Sequence, residues 1–281
     1  MIKGMASSTL PANADLHLHS STRQTLELLA EYFCLPTNQV AELLRGATYD
    51  HDARRSSRRT LQRLHVAGLV HRIPYFDLSR DRGGMTYAYG LTDKGVEFCK
   101  SLWPLCKTFD DHSQRTLDHE LEISYFHIAL KNFATRNNLK LDWQQSDLKH
   151  TVSPDAMFGL TDPRKPKGKN TLYYFLEIER AKIGHYIKGE PSITRKLQKY
   201  YDYYNSDACE KEWLAFRQFR VIVIQRTEER RNNLLNELTA SLNHRMFWLA
   251  SEGAYKADIG GRIFATPKDH TSDNNYSFLE A

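Results

Sequence analysis

The sequence has 281 residues, which is enough for two domains of ordinary size. Hydrophobic residues make up 41% of it and aromatic residues 11%, so the chain can build real cores and is not broadly disordered. A formal net charge of +5 permits a polyanionic partner but does not identify one, because the placement of charge matters more than its sum.

Features that the sequence lacks indicate the cellular compartment of the protein. No stretch approaches the ~18 consecutive apolar residues of a membrane span, and the N-terminus does not resemble a signal peptide. The scattered cysteines form no C-x-x-C pair, which favours reduced thiols. We therefore expect a cytoplasmic protein with no membrane partner.

The N-terminal part predicts an arm followed by helices. Residues 1–22 are rich in Ser, Ala and Asn and predict a flexible arm. From Arg23 onward, apolar side chains recur at three- and four-residue spacings, which predicts three successive helices. The third helix begins near Asp52 and ends at Gly68, which we expect to be its C-cap.

A strand pattern then replaces the helical one. Residues 69–76 and 85–91 predict a hairpin with a polar turn, and Thr92 is the expected N-cap of a further helix. Three helices, a hairpin and a helix over residues 23–105 are typical of a winged helix-turn-helix domain. In that fold the third helix enters the major groove of DNA.

The third predicted helix carries five arginines within ten residues, together covering one face. Such a row of guanidiniums repels itself unless a polyanion neutralises it, and phosphates suit this geometry. Three more arginines, Arg72, Arg80 and Arg82, extend the basic character into the predicted hairpin. The predicted DNA contacts are Arg54, Arg55, Arg58, Arg59, Arg63, Arg72 and Arg82. A solvated charged face is the alternative.

The second half predicts an α/β domain. Residues 106–118 read as a linker and residues 267–281 as a flexible tail. Between them, over residues 119–266, strand patterns alternate with helical ones. The predicted strands are 139–143, 151–160, 172–179, 219–225 and 246–249, and the predicted helices are 119–135, 193–204 and 228–242.

Acidic side chains accompany two of these strands. Glu177 and Glu179 alternate with apolar residues and project from one face, and Asp155 lies on the neighbouring strand. Burying the negative charge of carboxylates at the end of a strand is costly unless a positive charge compensates it. A bound Mg²⁺ or Mn²⁺ supplies that positive charge. The alternative is an ion network in which basic residues, Arg180, Arg195 or Lys196, pair with the acids.

Pro154-Asp155 followed by Glu177-x-Glu179 resembles the PD-(D/E)xK nuclease core. The wider layout resembles the replication-relaxation family, which is related to MobC-type plasmid relaxases. The resemblance covers residues 23 to 250 and depends on the order of its short motifs. These are the winged helix, the helix with His119 and Glu120, Pro154-Asp155, the strand ending Leu-Glu-Ile-Glu-Arg, and Lys196-x-x-x-Tyr200.

The resemblance implies a two-domain fold, a winged helix followed by a PD-(D/E)xK-like α/β core. It implies a metal-dependent endonuclease that nicks duplex DNA at a plasmid origin during mobilisation, conjugation or replication, alongside other relaxosome or replication proteins. Asp155, Glu177 and Glu120 would hold Mg²⁺ or Mn²⁺. The catalytic set would be Asp155, Glu177, Glu179 and Lys196.

One departure from the pattern bears on activity. The PD-(D/E)xK motif places a lysine two residues after the strand glutamate, and here that position is Glu179. Lys182, Lys196 or Lys199 could supply the ammonium instead. The rival function is a non-catalytic DNA-binding accessory or regulator with a degenerate nuclease-like domain. A third is a restriction or defence endonuclease that cuts both strands.

Two further motifs favour simpler interpretations. His17-x-His19 lies in the predicted arm without matching ligands elsewhere, which favours a solvated arm over a metal site. In the run from Tyr200 to Tyr204, helical spacing places Tyr200 and Tyr204 on the sheet and the other tyrosines in water, rather than providing a nucleophile.

Overall fold

The computed structural model describes most of the chain. The residues described are 20–45, 51–77, 84–100, 106, 108–109, 114–145, 151–179, 193–206, 208–213, 218–272 and 275–280. The chain divides into two compact units, Met1–His112 and Ser113–Ala281. Several residues named above lie outside the described residues, namely His17, His19, Arg80, Arg82, Arg180 and Lys182.

The first unit combines helices with a small antiparallel sheet. Its elements are α1 (Ser20–Tyr32), β1 (Cys34–Pro36), α2 (Thr37–Arg45), α3 (His51–Val66), β2 (Val70–Asp77), β3 (Gly84–Leu91) and α4 (Asp93–Cys99). The strand order is β1-β3-β2, and both pairings are antiparallel.

Local sequence explains how the first unit is assembled. Gly68, with φ +71°, follows α3 in the left-handed conformation, which confirms the predicted C-cap. The Thr92 side chain accepts a hydrogen bond from the Gly95 N–H, so the expected N-cap of α4 is also confirmed. Strand β1 replaces the direct connection between helices that the sequence predicts here, and it ends at Pro36. Proline is tolerated there because β1 pairs with β3 alone and lies at the sheet edge.

The predicted linker, residues 106–118, includes a residue that packs in the first unit. Phe109 is fully buried, its N–H donates to the Leu91 carbonyl at 2.8 Å, and its ring meets that of Phe33 with centroids 5.2 Å apart. A Cβ on Gly90 would lie 2.3 Å from the Phe109 side chain, so the absence of a side chain there makes room for the ring. Phe109 therefore belongs to the core of the first unit.

The second unit is built on a mixed sheet. Its helices are α5 (Gln114–Arg136), α6 (Ile193–Tyr204), α7 (Ala208–Trp213), α8 (Glu228–Ser241) and α9 (Glu252–Asp258), with a 3₁₀ helix at Pro267–Ser272. Its strands are β4 (Lys140–Gln145), β5 (Ala156–Thr161), β6 (Thr171–Glu179), β7 (Phe219–Gln225) and β8 (Phe247–Ser251).

The strand order of this sheet follows the sequence, β4-β5-β6-β7-β8. The pairs β4–β5 and β5–β6 are antiparallel, whereas β6–β7 and β7–β8 are parallel. At the β5–β6 turn, Asp162 donates its N–H to the Asn170 carbonyl, and the hydroxyls of Thr161 and Thr171 lie 2.8 Å apart.

Both faces of the central strands are buried, as expected for parallel strands covered by helices. On one face, Phe158, Tyr174 and Trp248 pack against residues of α5 and α9. On the other, Phe175 and Val221 pack against residues of α6 and α8. Tyr200 is buried on this face as predicted, but Tyr203 is also buried, so its predicted exposure to water was wrong.

The flexible tail predicted for residues 267–281 is not what the structure shows. Phe278 is 4% exposed and belongs to the same core cluster as Phe158 and Trp248. The backbone of Tyr276 exchanges two hydrogen bonds with that of Phe264. Two aromatic side chains anchor a segment whose polar composition suggested a mobile end.

None of the described helices combines the length and the apolar character needed to cross a membrane.

Candidate active site and nucleic-acid interface

Two acids meet where β5 begins and β6 ends. Asp155 immediately precedes β5, rather than lying within it as predicted, and its N–H donates to the Leu176 carbonyl at 3.0 Å. Its carboxylate oxygen Oδ2 accepts the Ile178 N–H at 2.6 Å. Because Ala156 pairs with Leu176, one step along this antiparallel pair places Asp155 opposite Glu177.

Glu177 is held by two side chains from helix α6. Its carboxylate is 3% exposed. The Tyr200 hydroxyl donates to Oε1 at 2.5 Å, and the Lys196 ammonium contacts Oε2. Lys196 and Tyr200 are four residues apart, so one turn of α6 points both groups at the same carboxylate.

Burial raises the pKa of Glu177 above its ordinary value, and the neighbouring Asp155 contributes to the increase. Lys196 and Tyr200 lower that pKa only in part. For Lys196, burial lowers the pKa, but the negative charges of Glu177, Asp155 and Glu179 outweigh burial and the net change is upward. Lys196 is therefore protonated in the site.

His119, on α5, contacts the other acid. Its Nε2 lies 3.1 Å from Asp155 Oδ2, and its Nδ1 lies 3.7 Å from Glu120 Oε1. Burial lowers the pKa of His119, but the two carboxylates more than offset this and raise it to about 10. The imidazole is accordingly a cation near neutral pH.

The predicted site residues are brought together to different extents. Asp155, Glu177 and Lys196 form one cluster, and Glu120 is connected to it through His119. Glu179 is half-buried, and its charge contributes to the raised pKa of Lys196. The ion network offered as an alternative is also present in part, since Lys196 pairs with Glu177.

The acids of this cluster are oxygen donors of the kind that divalent cations bind. No group of three or more His, Cys, Asp and Glu side chains in the described part of the chain is arranged to hold a metal ion. Mg²⁺ is commonly held by one or two carboxylates, with water and phosphate completing its shell. Asp155 and Glu177 fit that smaller requirement, because burial and the neighbouring Asp155 raise the pKa of Glu177, and a bound cation would favour its ionised form.

Sequence reasoning missed two contacts at this site. Tyr200 was assigned to core packing alone, although its spacing from Lys196 already indicated a shared helix face. The resemblance implies that the helix with His119 and Glu120 lies near the acids, but it does not specify the contact of His119 with Asp155.

The first unit presents the predicted basic surface. Five arginines of α3 are exposed, whereas Ser57, Thr60, Leu61 and Leu64 form its buried face. Within the described ranges, none of the five is within ion-pair distance of a carboxylate. We call this exposed row the α3 arginine row: Arg54, Arg55, Arg58, Arg59 and Arg63.

Arg72, on β2, is held beside this row. Its Nη1 donates to Gln62 Oε1 of α3 at 2.8 Å, and its Cζ lies 4.1 Å from the centroid of the Tyr87 ring on β3. Arg72 is half-buried, unlike the members of the α3 arginine row.

These features define a two-unit α+β protein with a basic helical surface and an acid–lysine cluster on a mixed sheet. The chain belongs to the replication-relaxation family, which it matches over residues 26–216, more than half of its length. This membership connects the chain with replication and DNA.

Other comparisons add little. No curated protein matches the chain. A solved structure of the restriction endonuclease FokI bound to DNA is similar at 13% identity with a TM-score of 0.29. The match covers 95% of this chain and 48% of that one, and a similarity this low carries no argument about function.

Proposed function

We propose that this protein is a relaxase-like plasmid mobilisation or replication protein that nicks DNA at an origin. The first unit acts as a winged helix that binds duplex DNA. The second acts as a PD-(D/E)xK-like domain that hydrolyses one phosphodiester with Mg²⁺ or Mn²⁺.

The observation that carries this proposal is the contact of Lys196 with Glu177 beside Asp155. The PD-(D/E)xK pattern requires two acids and one lysine at one place. Here Glu179 occupies the usual lysine position on the strand, and an ammonium from α6 reaches the carboxylate instead. The required chemical groups are therefore present, although their order along the chain differs.

Each side chain has a distinct part in this proposal. Asp155 and Glu177 would hold the cation, which when bound lowers the pKa of water and stabilises charge on the phosphate. Lys196, protonated and already in the site, would donate hydrogen bonds to the attacking water or to a phosphate oxygen. Tyr200 keeps Glu177 oriented, and His119 keeps Asp155 oriented.

A non-catalytic binder is the second candidate, and a specific observation favours it. Both acids are already compensated by the protein's own groups, Glu177 by Lys196 and Tyr200, and Asp155 by His119. A domain that kept the framework of a nuclease without its activity would contain such closed ion pairs.

Nicking of supercoiled plasmid DNA in Mg²⁺ or Mn²⁺ separates the two candidates. We expect relaxed circles from the wild type, none from Asp155→Asn or Glu177→Gln, and wild-type activity from Asp142→Asn, an exposed acid on β4. Duplex affinity should be unchanged in all variants. Equal nicking by all four proteins, or none by the wild type, would overturn the hydrolase. Linear product would instead indicate cleavage of both strands.

A further inference from the structure

The DNA-binding surface of the first unit contains two kinds of arginine. Members of the α3 arginine row are exposed and have no carboxylate partner in the described ranges. Arg72 is half-buried and is fixed from two sides, by Gln62 of α3 and by the ring of Tyr87. One guanidinium is therefore held in place beside several that can move.

Strand register explains why Arg72 is fixed. Arg72 pairs with Tyr89 across the β2–β3 hairpin, and Pro74 pairs with Tyr87. Tyr87 is thus the diagonal neighbour of Arg72 on the same sheet face, within reach of a long side chain. The ring supports the flat guanidinium from that side while Gln62 holds one of its nitrogens.

Neither partner neutralises Arg72. The Gln62 oxygen and the Tyr87 ring are uncharged, and no carboxylate in the described ranges lies within ion-pair distance of Arg72. A guanidinium has five N–H donors, and only one is used by Gln62. The remaining donors keep the fork geometry that suits two oxygens of one phosphate.

We infer that Arg72 is a preorganised clamp for one backbone phosphate of duplex DNA, and that Gln62 and Tyr87 are its positioning residues. The inference rests on the proposed binding of duplex DNA by the first unit. The bond from Arg72 uses one of the two lone pairs of the Gln62 oxygen, and this commits the Gln62 side chain to positioning Arg72. The clamp fixes the register of α3 on the duplex without contributing to sequence preference.

The salt dependence of duplex binding distinguishes the clamp from its positioning residues. Each phosphate neutralised contributes about 0.9 to the slope of log affinity against log salt concentration. Arg72→Ala should lower this slope by about 0.9 and weaken binding several-fold to specific and unrelated duplexes alike. The double variant Gln62→Ala/Tyr87→Leu keeps the charge of Arg72, so it should weaken binding about two- to fivefold with the slope unchanged.

Two further variants complete the experiment. Tyr87→Phe in the Gln62→Ala background keeps the ring and should recover part of the affinity lost with leucine. Arg164→Ala removes an exposed arginine of the second unit that is paired with Asp162, and should change neither quantity. Thermal melting of each variant checks that the first unit remains folded.

The outcomes separate the clamp from the proposed function. Wild-type affinity and slope in Arg72→Ala, with binding lost on neutralising the α3 arginine row, would overturn the clamp and leave the DNA-binding surface standing. Unchanged affinity in the double variant would overturn the positioning roles. A wild type that binds no duplex would overturn the proposed function itself.

Discussion

Lys196 and Glu177 lie on different elements, helix α6 and strand β6, and their charged groups are in direct contact. The strand position that would carry the lysine in the PD-(D/E)xK pattern is Glu179. The ammonium therefore approaches the carboxylate from the helix, and it remains charged because acids surround it.

Lys196→Ala should reduce the nicking rate by about 10²- to 10³-fold, the usual cost of removing one donor to a developing charge. Duplex affinity should not change, because the basic surface of the first unit is untouched. Single-turnover relaxation of supercoiled plasmid measures the rate, and anisotropy with a labelled duplex measures affinity.

Lys199 provides the matched control for this prediction. It lies on the same helix but is exposed, so Lys199→Ala should nick at the wild-type rate. Equal loss in both lysine variants would point to the charge of α6 as a whole and contradict a specific role for Lys196.

The α3 arginine row should account for much of the salt dependence of binding. Arg55, Arg59 and Arg63 repeat every four residues along one side of the helix. Replacing all three with alanine should lower the salt slope by about 2.7, if each contacts one phosphate. Titration of a labelled duplex at several salt concentrations gives this number.

An equal change of charge in the second unit tests whether position matters. Lys165, Lys167 and Lys169 lie exposed at the β5–β6 turn. Their triple alanine variant should leave the slope near the wild-type value. Equal slopes in the two triple variants would mean that net charge, and not the α3 surface, determines binding.

The C-terminal segment should contribute to the stability of the second unit. Phe278 packs against Phe158, Tyr174 and Phe264, so Phe278→Ala should cost about 3–5 kcal/mol of unfolding free energy. Leu279, which is 51% exposed, is the matched control, with an expected cost within about 0.5 kcal/mol. Chemical denaturation measures both, and similar values would contradict the packing described for Phe278.

The ion pair between Asp269 and Arg245 predicts a dependence of stability on pH. Hydrogen bonding from Arg245, together with Thr266 and Tyr276, lowers the pKa of Asp269 to about 2. A carboxylate whose pKa is lower in the folded state stabilises the fold above its unfolded pKa of about 3.9, and this contribution is lost as pH falls toward 2.

Asp269→Asn cannot ionise and therefore isolates this contribution. The difference in unfolding free energy between wild type and variant should be largest above pH 5 and shrink steadily between about pH 4 and pH 2. Urea denaturation across that range tests it. A difference that stays constant with pH would exclude a stabilising role for the ionised carboxylate.

Periodicity and capping residues predicted the framework better than the ends of the domains. The basic face of α3, Gly68 as its C-cap and the alternation of strands with helices all follow from local sequence. The burial of Phe109 and Phe278 does not, because each lies in a short stretch without a helical or strand period and packs against residues distant in sequence.

In the candidate site, too, local sequence predicts which residues take part but not how they are arranged. Asp155, Glu177 and Lys196 could be selected because carboxylates at strand ends are costly without a partner. Their geometry could not be predicted, because the register of β5 on β6 decides whether Asp155 meets Glu177, and register is set by tertiary packing. The contact of His119 with Asp155 depends on the docking of α5, which no local pattern specifies.

The antiparallel pairing of β5 with β6 has a practical consequence. Asp155 and Glu177 lie at one end of this hairpin and its connecting turn lies at the other, about 20 Å away for a six-residue strand. A fluorophore attached at Gly168, where a Cβ would meet nothing within 4 Å, would report on the second unit from a distance that leaves the acids undisturbed. Because Gly168 has φ +87°, the attachment residue should be one that tolerates a left-handed backbone, or the label should be placed on the neighbouring Lys167.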